Sequence, residues 1–130
     1  MTNQEILDGA RKWFLIDKNP PASEGATCVY YRDRSPGETP LKCAVGCLLP
    51  DEVAREMEFT FSGKNVTEDA VKNFLLERKI FGEDQFRLLA DVQSAHDTWS
   101  SHDAIRFREK FSEELQRIAE YRDLEWSRLA

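Results

Sequence analysis

Leu41-Lys42-Cys43-Ala44-Val45-Gly46-Cys47-Leu48-Leu49-Pro50-Asp51-Glu52 is the stretch whose reading decides the fold. A short apolar run of this kind suits either a buried strand or a buried helical turn, and periodicity does not separate the two. As a strand it would pair with the β-prone Thr27-Cys28-Val29-Tyr30-Tyr31-Arg32. As a turn it leaves the chain mainly helical, and the small Ala44 and Gly46 favour this reading because they permit close packing. The strand remains open as the alternative. Pro50 fits the start of a helix, with Asp51 and Glu52 at the positive end of its dipole, and this helix should run through about Met57.

Working outward, Thr2 and Glu5 form a capping-box pattern, and Ile6, Leu7, Ala10, Trp13 and Phe14 recur at helical spacing, which predicts a first helix over about 3–16. Residues 18–26 are rich in Pro, Ser and Gly and read as a surface loop. The strand-like 27–32 followed by the turn-forming Asp33-Arg34-Ser35-Pro36-Gly37-Glu38 predicts a small hairpin or extended finger. Phe59-Thr60-Phe61 reads as a connecting loop that inserts two aromatics into the core. Thr67 is a plausible cap for a helix carrying Ala70, Val71, Phe74 and Leu75 that stops near Gly82. A further helix over about 83–97 presents Leu88, Leu89, Val92, Ala95, His96 and Trp99 as a stripe. Ser100 and Asp103 then open a long helix through Phe107, Phe111, Leu115, Ile118 and Tyr121. The fold class is therefore mainly α (α+β): a single domain over 1–130, a bundle of four to five helices with a small β hairpin after the first.

The composition, 41% apolar and 32% charged, suits a globular protein, and no apolar run approaches the roughly 20 residues of a membrane span. No signal-peptide pattern opens the chain, so the cytoplasm is the expected location and no membrane is expected as a partner. Residues 1–50 are charge-balanced, six acidic against six basic, whereas residues 51–130 carry eighteen acidic against twelve basic. That surface repels phosphate and counts against nucleic acid as the main ligand. Acidic helices can meet a basic partner or imitate the charge of DNA; they also serve simply as a solvated face.

The candidates for chemistry are few. Three cysteines, an odd number with no paired zinc-knuckle spacing, point to reduced thiols rather than a disulfide framework. Cys43 and Cys47 share a face if helical, and His96, with Asp97 beside it, lies on an apolar stripe. A thiolate activated by a histidine and oriented by an acid is the arrangement of a cysteine-dependent hydrolase. The opposing reading is that free cysteines pack as small hydrophobes and that His96 bonds a buried carbonyl. Cys28, Cys43, Cys47 and His96 also offer zinc donors, but only one pair has ligand spacing, so no metal and no cofactor is expected. His96-Asp97 does not extend to a metal phosphohydrolase, because the only other histidine is the nearby His102. Tyr31, Arg32 and Trp99 are the candidates for binding a small ligand or nucleotide. The segment 43–49 is expected to pack against the end of the helix carrying His96, with Gly46 permitting the approach and His96 buried and bonded to backbone or a carboxylate.

The order of an amphipathic first helix, an isolated Cys followed by Tyr-Arg, the Lys-Cys-Ala-Val-Gly-Cys-Leu-Leu-Pro-Asp-Glu segment and a later Ala-His-Asp resembles small uncharacterised proteins encoded by bacteriophages and prophages. It is more loosely similar to a bacterial domain of unknown function with a Cys-Ala-x-Gly-Ala-Leu segment followed by Trp-Asn-Asp; here Cys47 replaces the second Ala and Ala95-His96-Asp97 replaces Trp-Asn-Asp. The resemblance implies a phage-associated context and carries no established activity. Together with the acidic surface, it leads to the expectation of an interaction protein that binds and modulates a host protein, a defence component being one candidate. The alternatives are the hydrolase built on Cys43 or Cys47 with His96 and Asp97, and the small-ligand or nucleotide binder.

Overall fold

The ambiguous segment resolves as a helical turn. Residues 46–48 form a 3-10 turn, and Cys47 N–H donates to Cys43 C=O at 2.9 Å. A computed structural model describes residues 1–24 and 27–127, and of residues 23, 24, 27 and 28 the backbone alone. Its described residues contain five α-helices: α1 (Asn3–Arg11), α2 (Asp51–Phe61), α3 (Asp69–Glu77), α4 (Phe86–Trp99) and α5 (Ala104–Tyr121). The molecule is mainly helical, as the periodicity predicts.

The hairpin expected from a strand over 27–32 and the turn at 33–38 is not formed. Arg32 and Leu41 make one isolated antiparallel bridge across that turn, and the remaining pairing is a two-residue contact of Ser23–Glu24 with Thr27–Cys28. The physical reason is that Val29, Tyr30 and Tyr31 are all buried, so this segment offers the core a continuous apolar run instead of an alternating face. Its backbone groups find other partners: Val29 C=O accepts from Cys43 N–H at 2.8 Å, and Tyr30 N–H donates to Glu58 Oε1 at 2.8 Å.

The capping box of α1 is present, with Glu5 N–H donating to Thr2 Oγ1 at 3.1 Å and Thr2 N–H donating to Glu5 Oε1 at 2.8 Å. After Arg11 the helix widens into a π turn over Lys12–Ile16, so the predicted 3–16 element is continuous but changes pitch. Helix α2 runs on through Phe61 instead of ending near Met57. Phe59 therefore stands on its outer face, 92% exposed, while Phe61 packs edge-on against Phe74 at 5.4 Å; only the second aromatic faces the interior as expected. Glu68, not Thr67, holds the cap position of α3, and Asp103 alone caps α5 by accepting from Arg106 N–H at 3.0 Å.

One hydrophobic cluster runs from Ile6 to Ala119 and takes side chains from all five helices and the 43–49 segment. Helix α1 packs against α4, α5 and the turn at 46–48. At its centre the ring of Phe14 meets Phe107 at 5.6 Å and Phe111 at 5.2 Å, both edge-on. Burying each such ring stabilises the fold by roughly 2–3 kcal/mol. Lys42 is 4% exposed despite its charge. Its ammonium reaches Leu49 C=O and the Asp51 carboxylate at the start of α2, and it lies 5.5 Å from the Trp13 ring centroid and 5.9 Å from that of Tyr31. Past α5 the chain turns back along α1, where Glu125 N–H donates to Gln4 Oε1 at 2.9 Å and Gln4 Nε2 donates to Glu125 C=O at 3.1 Å. The Arg11 guanidinium covers the Trp126 ring at 4.0 Å.

Gly46 does permit a close approach, but to Tyr30 and not to the helix of His96. A Cβ at Gly46 would lie 2.1 Å from the Tyr30 carbonyl oxygen, a backbone atom that cannot rotate away. At Gly9 the corresponding neighbour is the Leu48 side chain at 2.5 Å, which can move. Gly46→Ala is therefore expected to destabilise the protein by about 3 kcal/mol. Gly9→Ala, which gains helix propensity as it displaces Leu48, is expected to stay within about 1 kcal/mol of the parent. Urea unfolding monitored by circular dichroism measures both, and equal losses at the two positions would contradict this account.

Candidate functional site

The site grows from one face of α4. Gln93, His96 and Asp97 stand three and four residues apart, so their side chains lie over adjacent turns. Gln93 is 4% exposed, and its two ends are fixed by different partners: Oε1 accepts from Val45 N–H at 3.0 Å, and Nε2 donates to Asp97 Oδ1 at 2.6 Å. The first of these bonds joins the 43–49 segment to α4, which is the junction the two sequence motifs predict.

His96 is fully buried between Phe14 and Phe107, with centroids at 5.2 and 5.8 Å. Its Nε2 accepts from Ala22 N–H at 3.0 Å, which requires a lone pair on that nitrogen and places the ring hydrogen on Nδ1. Nδ1–H then donates to Asp97 Oδ1 at 2.8 Å. In this tautomer the 3.4 Å approach of Gln93 Nε2 to Nδ1 sets donor beside donor and is proximity rather than a bond. Both ring nitrogens are thus occupied, one by backbone and one by a carboxylate, and the ring has no solvent-facing edge.

The thiols have their own partners. Cys43 Sγ accepts from Gly46 N–H at 3.5 Å, and Cys47 Sγ–H donates to Ala44 C=O at 3.1 Å. Neither is hydrogen-bonded to His96. Loss of hydration pushes the Cys47 thiol well above its ordinary pKa, and the neighbouring Cys43 pushes the same way. A nucleophilic cysteine needs the opposite shift from that of Cys47. With Cys43 and Cys47 bonded to Gly46 and Ala44, and His96 bonded to Ala22 and Asp97, the four residues form a polar core junction in which thiol and imidazole are not paired. Among the described residues, no three His, Cys, Asp or Glu side chains converge as metal ligands; the side chain of Cys28, the fourth zinc candidate, lies outside the described residues.

The three binding candidates separate. Tyr31, expected on an exposed finger, is 7% exposed; its hydroxyl donates to Asp33 Oδ1 at 2.9 Å and accepts from Arg55 Nη2 at 2.9 Å. Burial and the Asp33 bond both raise the pKa of this phenol. Arg32 is exposed and contributes its backbone to the bridge with Leu41. Trp99 sits on the α4–α5 side, where its ring meets His102 at 5.1 Å and Lys110 Nζ at 5.6 Å. The two aromatics thus belong to different clusters, Tyr31 with Asp33 and Arg55, and Trp99 with His102 and Lys110.

What sequence reasoning missed is Gln93, Ala22 and a groove beside Asp97. The groove has a volume of about 400 Å³, and its polar lining comes from Asn65 and Thr67 ahead of α3 and from Gln93, Ser94, Asp97 and Thr98 on α4. The Gln93–Asp97 spacing was a readable signal, since amide and carboxylate pairs four apart bond along a helix. The facing loop at 65–67 has no such signal. The chain matches no family model, no curated protein and no solved structure.

Both described thiols should alkylate more slowly than a free cysteine at neutral pH, and Cys47 should gain reactivity only as pH rises above the usual thiol range. Iodoacetamide labelling followed by peptide mass spectrometry across pH checks this. A fast reaction at neutral pH that falls in His96→Ala would restore the hydrolase reading. Gln93→Leu strands the Val45 N–H in the core and is expected to destabilise the protein by about 2 kcal/mol, measured by urea unfolding.

Proposed function

We propose that this protein acts by binding another protein, in a phage or prophage setting where the target is a host protein. The observation that supports this reading most directly is Phe59. Helix α2 presents Glu52, Arg55, Glu56 and Phe59 together at exposed positions, and Phe59 is 92% exposed. A large aromatic flanked by acids on a rigid helix has the character of an anchor residue inside a charged rim. Residues 51–103 contain twelve acidic and six basic side chains, whereas 104–130 are balanced at six and six, so the whole net charge of −6 falls on the part of the chain that includes this face. The fitting partner has a basic surface. Ordinary interface recognition accounts for this better than DNA mimicry, because α5, the longest helix, carries four acidic and four basic residues and no continuous negative stripe.

Catalysis has less support, since His96 and Asp97 are engaged with Ala22 and Gln93 and the neighbouring thiols have other partners. Among the described residues no helix is long and apolar enough to cross a membrane. The cytoplasm, where a phage-encoded modulator would meet its target, is the proposed location.

Affinity capture with the intact chain tests this reading. The parent should retain a specific host protein, Phe59→Ser should weaken that retention by about 2 kcal/mol while the fold persists, and Glu52→Lys with Glu56→Lys should weaken it further at low salt than at high salt. Retention unchanged by all three substitutions, or no retained protein across several hosts, would defeat it.

A further inference from the structure

We infer that the groove beside Asp97 is a binding site for a small aliphatic primary ammonium ion. Its volume, about 400 Å³, falls within the range of small-molecule sites. Among the described residues, Asp97 is the sole charged residue of the lining, and no Lys, Arg or His stands on the groove to neutralise it. Both donors that fix this carboxylate, His96 Nδ1–H and Gln93 Nε2–H, converge on the same oxygen, Oδ1. Oδ2 has no hydrogen-bond partner among the described residues, and the Asp97 side chain is 27% exposed. The carboxylate is therefore held in place from behind, with one oxygen left to accept.

The hydroxyls of the lining complete an acceptor set. Thr98 Oγ1–H donates to Ser94 C=O at 2.8 Å, and Thr67 Oγ1–H donates to Asn65 Oδ1, so each hydroxyl spends its hydrogen internally and keeps lone pairs. Asp97 Oδ2, Thr98 Oγ1 and Thr67 Oγ1 are thus acceptor oxygens on residues that line the groove, and an R–NH3⁺ group brings three N–H donors to such a lining. Val66 and Ala90 supply apolar surface for a short carbon chain. An anion would meet the Asp97 charge uncompensated, and a neutral alcohol would leave most of the acceptor set unused.

The test is an amide nitrogen–proton NMR titration of the full chain with n-butylammonium, n-butanol and butyrate at equal ionic strength. Saturable shifts are expected at Thr67 and at residues 93–98 with the ammonium ion, about tenfold weaker binding with the alcohol, and none with butyrate. Ser94→Trp fills the groove from an exposed helical position without touching the Gln93–His96–Asp97 bonds, and should abolish these shifts while the spectrum stays folded. Asp97→Asn should weaken ammonium binding by about tenfold. Equal binding of ammonium and alcohol, unchanged binding in Ser94→Trp, or the absence of saturable shifts in the parent would each overturn the assignment.

Discussion

The side chain of Gln93 joins the 43–49 segment to the buried polar end of α4. Its carbonyl oxygen takes the otherwise stranded N–H of Val45, and its amide nitrogen fixes the carboxylate of Asp97. Asp97 in turn fixes the orientation of the His96 ring, and the far side of that ring holds the backbone at Ala22. Three stretches far apart in sequence, around residues 22, 45 and 95, are thereby tied through one chain of buried hydrogen bonds. In a low-dielectric interior each unmet group in such a chain would cost roughly 1–3 kcal/mol, so its members stand or fall together.

The apolar core depends on the same arrangement. His96 is an aromatic member of the Phe14, Phe107 and Phe111 stack as much as a polar group, and its two bonded nitrogens let it be buried there without penalty. Lys42 solves a similar problem. Its ammonium is satisfied by a carbonyl and a carboxylate at the start of α2 and is flanked by two aromatic rings, so a charge normally found at the surface fastens the 41–49 segment to the helix that follows.

Much of this was legible in the sequence. Apolar periodicity placed all five helices, and the Thr2–Glu5 pattern located the first one to the residue, because these signals are local. The proximity of the 43–49 segment to His96 could be anticipated from the concentration of small and polar-core residues in two motifs. The hairpin failed because Val29 to Tyr31 bury on every side, and an aromatic, β-branched run of that kind reads as a strand whether or not a partner lies beside it. Phe59 was misplaced for a related reason: an aromatic is expected inside, and only the extension of α2 through Phe61 turns it outward. Gly46 was correctly marked as a contact residue, but the identity of its neighbour, the Tyr30 carbonyl, depends on chain path and leaves no trace in composition. The groove beside Asp97 was equally hidden, since Asn65 and Thr67 join its lining from a loop about thirty residues away.

The reciprocal bonds between Gln4 and Glu125 carry an implication for how the chain acquires its shape. They span 121 positions, and the packing of α1 against α4 and α5 is also long-range. The apolar face of α1 is covered partly by the turn at 46–48 and partly by α4 and α5, so that cover is complete only when contacts of very different range have all formed. Contacts of such long range are slow to close, because the intervening loop must lose its entropy before they give anything back. The helix that is simplest to recognise in the sequence is therefore held by contacts whose loops cost the most entropy to close, a cost that its own local helix signals do nothing to reduce.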